Sequence, residues 1–279
     1  EQIGSAPVDP KRTGYTFAGW RDNFELTGNA LTFPHTHGRT SNIILYAKWT
    51  PNVNTITFDA NFVGGSTTTQ SITTGVSTAL SANTFSRTGY TFDGWSTVDD
   101  GTGTTYTNQE IVGVTGSFTL FAKWSANTLN VTFNTNSGSA ITTATTRTGL
   151  QFSSTATTTR AGYTFAGWFD NSGFTGTEVT FPYTHNQTGN FTLYAKWNAN
   201  DLTVTFNTNS GSAVTAVTTR TAEVMPTTLT TTRAGYTFLG WFAAADFSGT
   251  AISFPYVHGR TSDFTLHAKW EANTLNVSF

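Results

Sequence analysis

The chain has 279 residues, with fourteen Lys and Arg against sixteen Asp and Glu, a formal net charge of −2 and no cysteine. Disulfide staples are therefore excluded, and dispersed cations with no basic run argue against nucleic acid as a partner. Aromatic residues outnumber charged ones, 14% to 11%, which argues against disorder, and no apolar run reaches the roughly 18 residues of a membrane span, so this segment is not expected to insert into a bilayer.

The eight tryptophans lie on one grid: Trp20, Trp49, Trp95, Trp124, Trp168, Trp197, Trp241 and Trp270. The gap within each pair is always 29, and the step from pair to pair is 75, 73 and 73 (95−20, 168−95, 241−168). A fixed step of this size marks one small folding unit used repeatedly. In chain order, residues 1–50 form a partial first repeat that lacks its first hairpin, with a last strand at 43–49. Residues 51–124 form the second repeat, opening with a strand at 56–58 and closing at 118–124.

Residues 125–197 show the plan in full. Leu129, Val131 and Phe133 alternate with Asn130 and Thr132, the period of a half-buried strand. A turn at 134–138 leads to a Thr-rich second strand at 141–146, predicting a hairpin. A loose stretch at 149–159 precedes a third strand at 163–168. A long excursion at 169–190, with a short strand expected at 178–181, returns to the last strand at 191–197. Residues 198–270 repeat the plan, with strands at 202–206 and 264–270. Residues 271–279 read as the first strand of a further repeat. That segment is expected either to be cut from a longer array or to complete the partial first repeat of a neighbouring molecule, giving a head-to-tail filament. No window has a sustained helical period, and Thr and Gly are poor helix formers, so at most one short helix per repeat is expected. The short Trp-x-x-Asn joints favour a stiff rod.

Two phrases recur about thirty residues apart: Gly-Tyr-Thr-Phe-x-Gly-Trp and Thr-Leu-Tyr-Ala-Lys-Trp, preceded by a Val-Thr-Phe strand and a Gly-containing turn at 131–138 and 204–211. The chain in this respect resembles the Listeria–Bacteroides repeat family, to which the B-repeats of listerial internalins belong. The resemblance covers nearly the whole chain. It implies a small β-grasp-like unit in tandem, on secreted or wall-attached bacterial surface proteins, with spacer, adhesion or surface-interaction roles and no catalysis. This chain departs from it in being Thr-rich and charge-poor, and its second repeat, at 106–114, lacks the Phe-Pro-x-x-His phrase of the others.

Individual residue classes sharpen the expectation. A ring at constant spacing in every copy fits core packing better than a sugar-stacking platform, so the tryptophans are assigned to the core. Lys48, Lys123, Lys196 and Lys269 are expected to lay their stems over aromatic rings. Arg12, Arg87, Arg160 and Arg233, each three residues before the motif tyrosine, are expected to clamp it. The glycines at 19, 94, 167 and 240 are expected to mark bulges that turn Phe and Trp to one face.

His37, His185 and His258 share one register, four residues after Phe33, Phe181 and Phe254, while His35 is replaced by Tyr183 and Tyr256 in the later copies. A loop-closing hydrogen bond is the expected role of the shared histidine. The turn that carries His35, His37, Tyr183, His185, Tyr256 and His258 is also the candidate recognition loop, because loops on rigid scaffolds carry function. One histidine per repeat is too few for zinc, and the Asn-x-Asn-x-Gly turns lack carboxylates for calcium. No catalytic residue, cofactor or metal is expected. The chain thus reads as mostly β, α+β at most, a linear array of β-grasp-like repeats of about 73 residues. The expected function is an extracellular stalk, spacer or adhesin segment at a bacterial cell surface or wall. The alternatives are a module for a surface glycan or a host or cell protein, or head-to-tail self-association.

Overall fold

The opening strand of the third repeat, Thr128–Asn134, shows why this chain makes sheet. Leu129, Val131 and Phe133 are buried, and the four residues between and around them are exposed. Side chains alternating at a period of two suit one buried sheet face. A computed structural model describes residues 1–225 and 229–277. The chain divides into two compact bodies, Glu1–Asn127 and Thr128–Phe279, each containing two of the repeats read from the sequence.

Each complete repeat is built on one mixed sheet. In the second repeat the opening strand is Val53–Asp59, the second Thr67–Thr73, the third Tyr90–Ser96 and the closing strand Phe118–Ala126. In the third repeat they are Thr128–Asn134, Ala144–Arg147, Tyr163–Phe169 and Phe191–Ala199, and in the fourth Asp201–Asn207, Val217–Arg220, Tyr236–Phe242 and Phe264–Ala272. The order across the sheet is second, opening, closing, third, with Thr105–Tyr106 added beyond the third strand in the second repeat. Opening and second strands form an antiparallel hairpin, as do closing and third strands by their register. Opening and closing strands lie side by side and parallel. Of the four sheet strands the first repeat has the third and closing ones, Tyr15–Arg21 and Tyr46–Pro51, as an antiparallel pair, beside a two-residue ladder of Gln2–Ile3 with His35–Thr36.

The protein is mostly β, and among the described residues there is no helix. Where a β-grasp-like unit would place a helix between the second and third strands, the described residues of this chain form none. A two-residue ladder pins that passage: Thr78–Ala79 against Ile111–Val112, Gln151–Phe152 against Tyr183–Thr184, and Val224–Met225 against Tyr256–Val257. The short strand expected at 178–181 is therefore displaced. Val179 makes a single bridge to Trp168, and pairing resumes at Tyr183, after Pro182, which has no N–H to give to a ladder. Residues 273–277 carry no strand, and Leu275 and Val277 are exposed. Ser278 and Phe279, the end of the strand read there, lie outside the described residues.

A separate core sits on each complete sheet. The second repeat buries Ile56, Phe58, Ile72, Leu80, Trp95 and Leu120 together. The third buries Val131, Phe133, Phe152, Trp168 and Leu193, and the fourth Val204, Met225, Trp241 and Leu266. The extended crossover thus supplies core residues, Leu80, Phe152 and Met225, that a helix would otherwise provide.

In the third repeat the ladder between the third and closing strands slips between Phe165 and Trp168, and it slips at the equivalent place in the other repeats. The glycine at the slip has φ of +94°, +124°, +105° and +120° in chain order, values that favour glycine. The extra residue brings Phe165 and Trp168 to the same side, their centroids 5.4 Å apart. In the second repeat a Cβ on Gly94 would lie 2.7 Å from the Tyr106 carbonyl oxygen. Gly94→Ala is therefore expected to destabilise the chain by about 2–3 kcal/mol through clash and backbone strain. Gly113→Ala, with nothing within 4 Å of the new methyl, should leave urea unfolding nearly unchanged. Equal unfolding midpoints for the two variants would contradict this account of the bulge.

Candidate functional site

The paired indoles are the best-defined recurring feature. Trp95, Trp168 and Trp241 are 1%, 3% and 1% exposed. Each meets a phenylalanine of the opening strand, at 4.8 Å from Phe58, 5.0 Å from Phe133 and 4.9 Å from Phe206. The second indole of each pair is half-buried. Its Nε1–H donates to a carbonyl of the turn after the opening strand: Trp124 to Ala60, Trp197 to Thr135 and Trp270 to Thr208, all at 2.8 Å. A ring with a buried body and a bonded polar edge is the arrangement indole favours. The turn is shaped to receive it. A Cβ on Gly138 or Gly211 would lie 2.6 Å or 2.5 Å from the Trp197 or Trp270 ring. In the first repeat Phe17 packs edge-on against both Trp20 and Trp49.

No tryptophan is exposed. Among the described aromatic residues only Phe24, Phe165 and Tyr236 reach high exposure, and they occupy three different positions of the repeat. A sugar-stacking patch recurring at one place on each repeat is thus not presented by these rings.

The arginines are bound to tyrosine. The Tyr15 N–H donates to the Arg12 carbonyl at 3.0 Å, and the same turn recurs at Tyr90, Tyr163 and Tyr236. Its third residue is a glycine at φ near +80°, namely Gly14, Gly89, Gly162 and Gly235, which lets the chain reverse tightly. The reversal lays the guanidinium over the tyrosine ring, 3.9, 3.8, 3.8 and 3.9 Å from its centre in chain order, a cation–π contact. Lys196 and Lys269 similarly approach Phe169 and Phe242, at 5.2 and 5.1 Å, while Lys48 Nζ donates to the Leu26 carbonyl.

The Phe-Pro turns place their residues unevenly. His185 and His258 are 3% and 2% exposed. Their rings pack on Phe191 and Phe264 of the closing strand, at 5.0 and 5.1 Å. Their Nε2 atoms lie 3.4 Å from Thr146 Oγ1 and 3.2 Å from Thr219 Oγ1 on the second strand, so each ties the long excursion across the sheet. Neither Nδ1 has a partner. His35, His37, Tyr183 and Tyr256 are half-buried. His35 pairs with Ile3 in a two-residue ladder, the His37 N–H donates to the Glu1 carbonyl, and the Tyr183 and Tyr256 rings lie about 6 Å from the histidine two residues on. The solvent-facing residues of the turns are Pro34, Thr36, Pro182, Thr184, Pro255 and Val257.

Three bonded positions escaped the sequence reading. An asparagine three residues after the second tryptophan, at 52, 127, 200 and 273, gives its N–H to the carbonyl of the Gly before the motif tyrosine. Its Oδ1 accepts from the motif threonine, Thr16, Thr91, Thr164 or Thr237, at 2.6–2.7 Å. Within each body the same asparagine also reaches the next repeat: the Asn52 carbonyl accepts from Thr74 N–H and the Asn200 carbonyl from Thr221 N–H. The asparagine's constant offset from tryptophan was the available signal. Next, Asn61, Asn136 and Asn209, in the turn after the opening strand, give Nδ2–H to the carbonyls of Ala122, Ala195 and Ala268 of the closing strand. Last, Ser117, Asn190 and Asp263 accept from the opening-strand N–H of Thr55, Asn130 and Thr203. Three different side chains serve that last position, so sequence offered no repeated letter there.

These contacts close and join repeats. The described residues contain no group of three His, Asp or Glu that could hold a metal, and they include no helix long and apolar enough to cross a membrane. Burial pushes the His185 imidazole below its ordinary value of 6.5. It does the same to His258, with Glu223 opposing and Arg260 reinforcing. The folded turn thus favours the neutral ring. Above pH 6.5 both folded and unfolded chains are neutral there. As pH falls from 6.5 the unfolded chain takes up protons that the folded turn resists, so stability drops until the folded ring protonates too. Each histidine can add a slope of at most about 1.4 kcal/mol per pH unit in that window. Urea unfolding of the parent between pH 7 and 5 should show this loss, and His185→Gln with His258→Gln should flatten it. Parallel pH profiles for the two proteins would refute it.

A sequence model of the Listeria-Bacteroides repeat domain matches residues 1–48, 55–123, 130–196 and 203–269. A protein of Evansella cellulosilytica named as a Gly-rich membrane protein is 31% identical over 96% of this chain, which spans 32% of that protein. A second protein of that organism, named as a membrane protein, is 31% identical over 98% of this chain and 41% of its own length. Internalin H of Listeria monocytogenes is 33% identical over 41% of this chain and 20% of its own length. The chain thus spans about a third to two-fifths of the two Evansella relatives. Four matched segments in tandem, each enclosing the first tryptophan of a pair and ending one residue before the second, place the chain in the Listeria-Bacteroides repeat domain family.

Proposed function

We propose that this segment is a non-catalytic structural repeat region of a bacterial cell-surface protein, acting outside the cell as a stalk or adhesin spacer. One observation carries the reading: the recurring aromatic anchors are turned inward, and each repeat passes its chain onward through the same bonded asparagine. Side chains that recur in every copy are thus occupied in closing a unit or joining it to the next. The membrane-protein names of two relatives and the internalin name of a third support placement at a surface. On the Phe-Pro turns, a glycan or a host or cell protein as ligand would meet the half-buried His35, His37, Tyr183 and Tyr256 and the exposed residues between them, since the His185 and His258 rings lie inside.

The reading is tested by length. Arrays of two, four and eight repeats, each carrying a terminal epitope and anchored on a bacterial surface, should raise the epitope in proportion to repeat number. A height that stays constant, or saturable glycan-array binding that strengthens with repeat number, would replace the spacer by a binding module. Sedimentation of residues 1–279 separates the filament: a concentration-dependent ladder of multiples would favour head-to-tail assembly over a monomeric spacer.

A further inference from the structure

The opening and closing strands of each complete repeat are neighbours in the sheet and run parallel. They are also the strands by which the chain enters and leaves the repeat. One residue separates a closing strand from the next opening strand: Asn52 between Pro51 and Val53, Asn127 between Ala126 and Thr128, Asn200 between Ala199 and Asp201. Tension along the chain therefore enters a repeat at the start of its opening strand and leaves at the end of its closing strand. Those two strands are then drawn in opposite directions along one shared ladder. Bonds perpendicular to the pull stretch together, whereas a ladder opened from one end gives way bond by bond.

The ladder is built the same way in each copy. Four residue pairs form it in the third repeat, from Val131 with Phe191 to Asn134 with Tyr194, and four form it in the second and fourth. Side chains extend it at both ends. At its start Ser117, Asn190 or Asp263 accepts from an opening-strand N–H at 2.9, 2.8 and 2.7 Å. At its end Asn61, Asn136 or Asn209 reaches across to a closing-strand carbonyl at 3.0, 2.7 and 2.8 Å. The indole of Trp124, Trp197 or Trp270 then ties the closing strand to the next carbonyl of the turn. Different side chains supply the first of these clips, so its constant position points to the bond itself. The third strand and the long excursion lie off the line of tension.

We propose that this parallel ladder with its clips is a load-bearing clamp, and that each complete repeat is a force-resistant link transmitting tension between whatever is joined to the two ends of the array. The inference rests on the stalk reading, since only a tether is loaded along its chain, but it concerns strength where that reading concerns length.

Two loading directions on one fold provide the test. The chain has no cysteine, so introduced thiols are unique handles for single-molecule pulling. Thr128→Cys with Asn198→Cys in the full chain loads the ladder of the third repeat in shear. Asn130→Cys with Gly189→Cys opens the same ladder from its start. All four sites are exposed. Rupture under load is governed by the unfolding barrier and not by equilibrium stability, so direction is the variable. The clamp requires a rupture force several-fold higher in shear. Equal forces, or a higher force when peeling, would overturn it while leaving the length-based spacer test untouched. In the parent chain held by its ends, complete repeats should yield one at a time, each releasing about 250 Å of chain. A gradual extension without discrete events would likewise overturn the clamp.

Discussion

A repeat of about 73 residues with no disulfide has too little interior to close on aliphatic contacts alone. Everything else in this structure depends on how indole rings meet that constraint. Each buried ring removes roughly 150–250 Å² from water, a gross stabilisation of about 4–6 kcal/mol. The two tryptophans divide the work. Trp168 fills the centre of the sheet face, against Phe133. Trp197 stands at the margin and bonds the turn of the hairpin to the closing strand. Gly138 is small because that ring lies on it, and Gly167 bends the third strand so that Phe165 reaches both indoles, at 5.4 Å from each. The most constant letters of the repeat are thus one packing arrangement.

The same economy explains the missing helix. A crossover between the second and third strands has to cover a sheet face whose depth is already filled by rings. An extended segment carrying one large residue, Leu80, Phe152 or Met225, is sufficient. A two-residue ladder fixes it to the long excursion, and in the third and fourth repeats a buried histidine ties that excursion to the sheet. His185 and His258 are part of that fixation, held between a closing-strand phenylalanine and a second-strand threonine.

Much of this was legible in the letters. Alternation at Leu129, Val131 and Phe133 specifies the opening strand, and the spacing of Arg160 and Tyr163 marks a guanidinium that clamps a ring, whereas the tight turn through Gly162 that puts it there is seen only in the structure. The glycine before Trp168 signalled the bulge. What could not be read was long-range. That the opening strand runs parallel beside the closing strand, about sixty residues away, follows from no local pattern, because both strands alternate alike whichever neighbour they take. The small ladder at Tyr183 was misplaced to 178–181 because apolar residues at Val179 and Phe181 imitate a strand, while the proline after them withholds a donor. Bonds made by ordinary Asn, Ser and Asp side chains at 117, 190 and 263 leave no signature in composition. The candidate turn was found by its repeated letters, but inward burial of its imidazoles depends on Phe191 and Phe264, residues remote in sequence.

The single asparagine between successive strands has a consequence for how such a protein can vary. Asn52 and Asn200 each bond backward, to the Gly14 or Gly162 carbonyl, and forward, to the Thr74 or Thr221 N–H, so one residue added at the joint would part those two sets of bonds. Gain or loss of one whole copy preserves them. Copy number is accordingly the natural coordinate along which proteins of this design can diverge without any redesign of the interior.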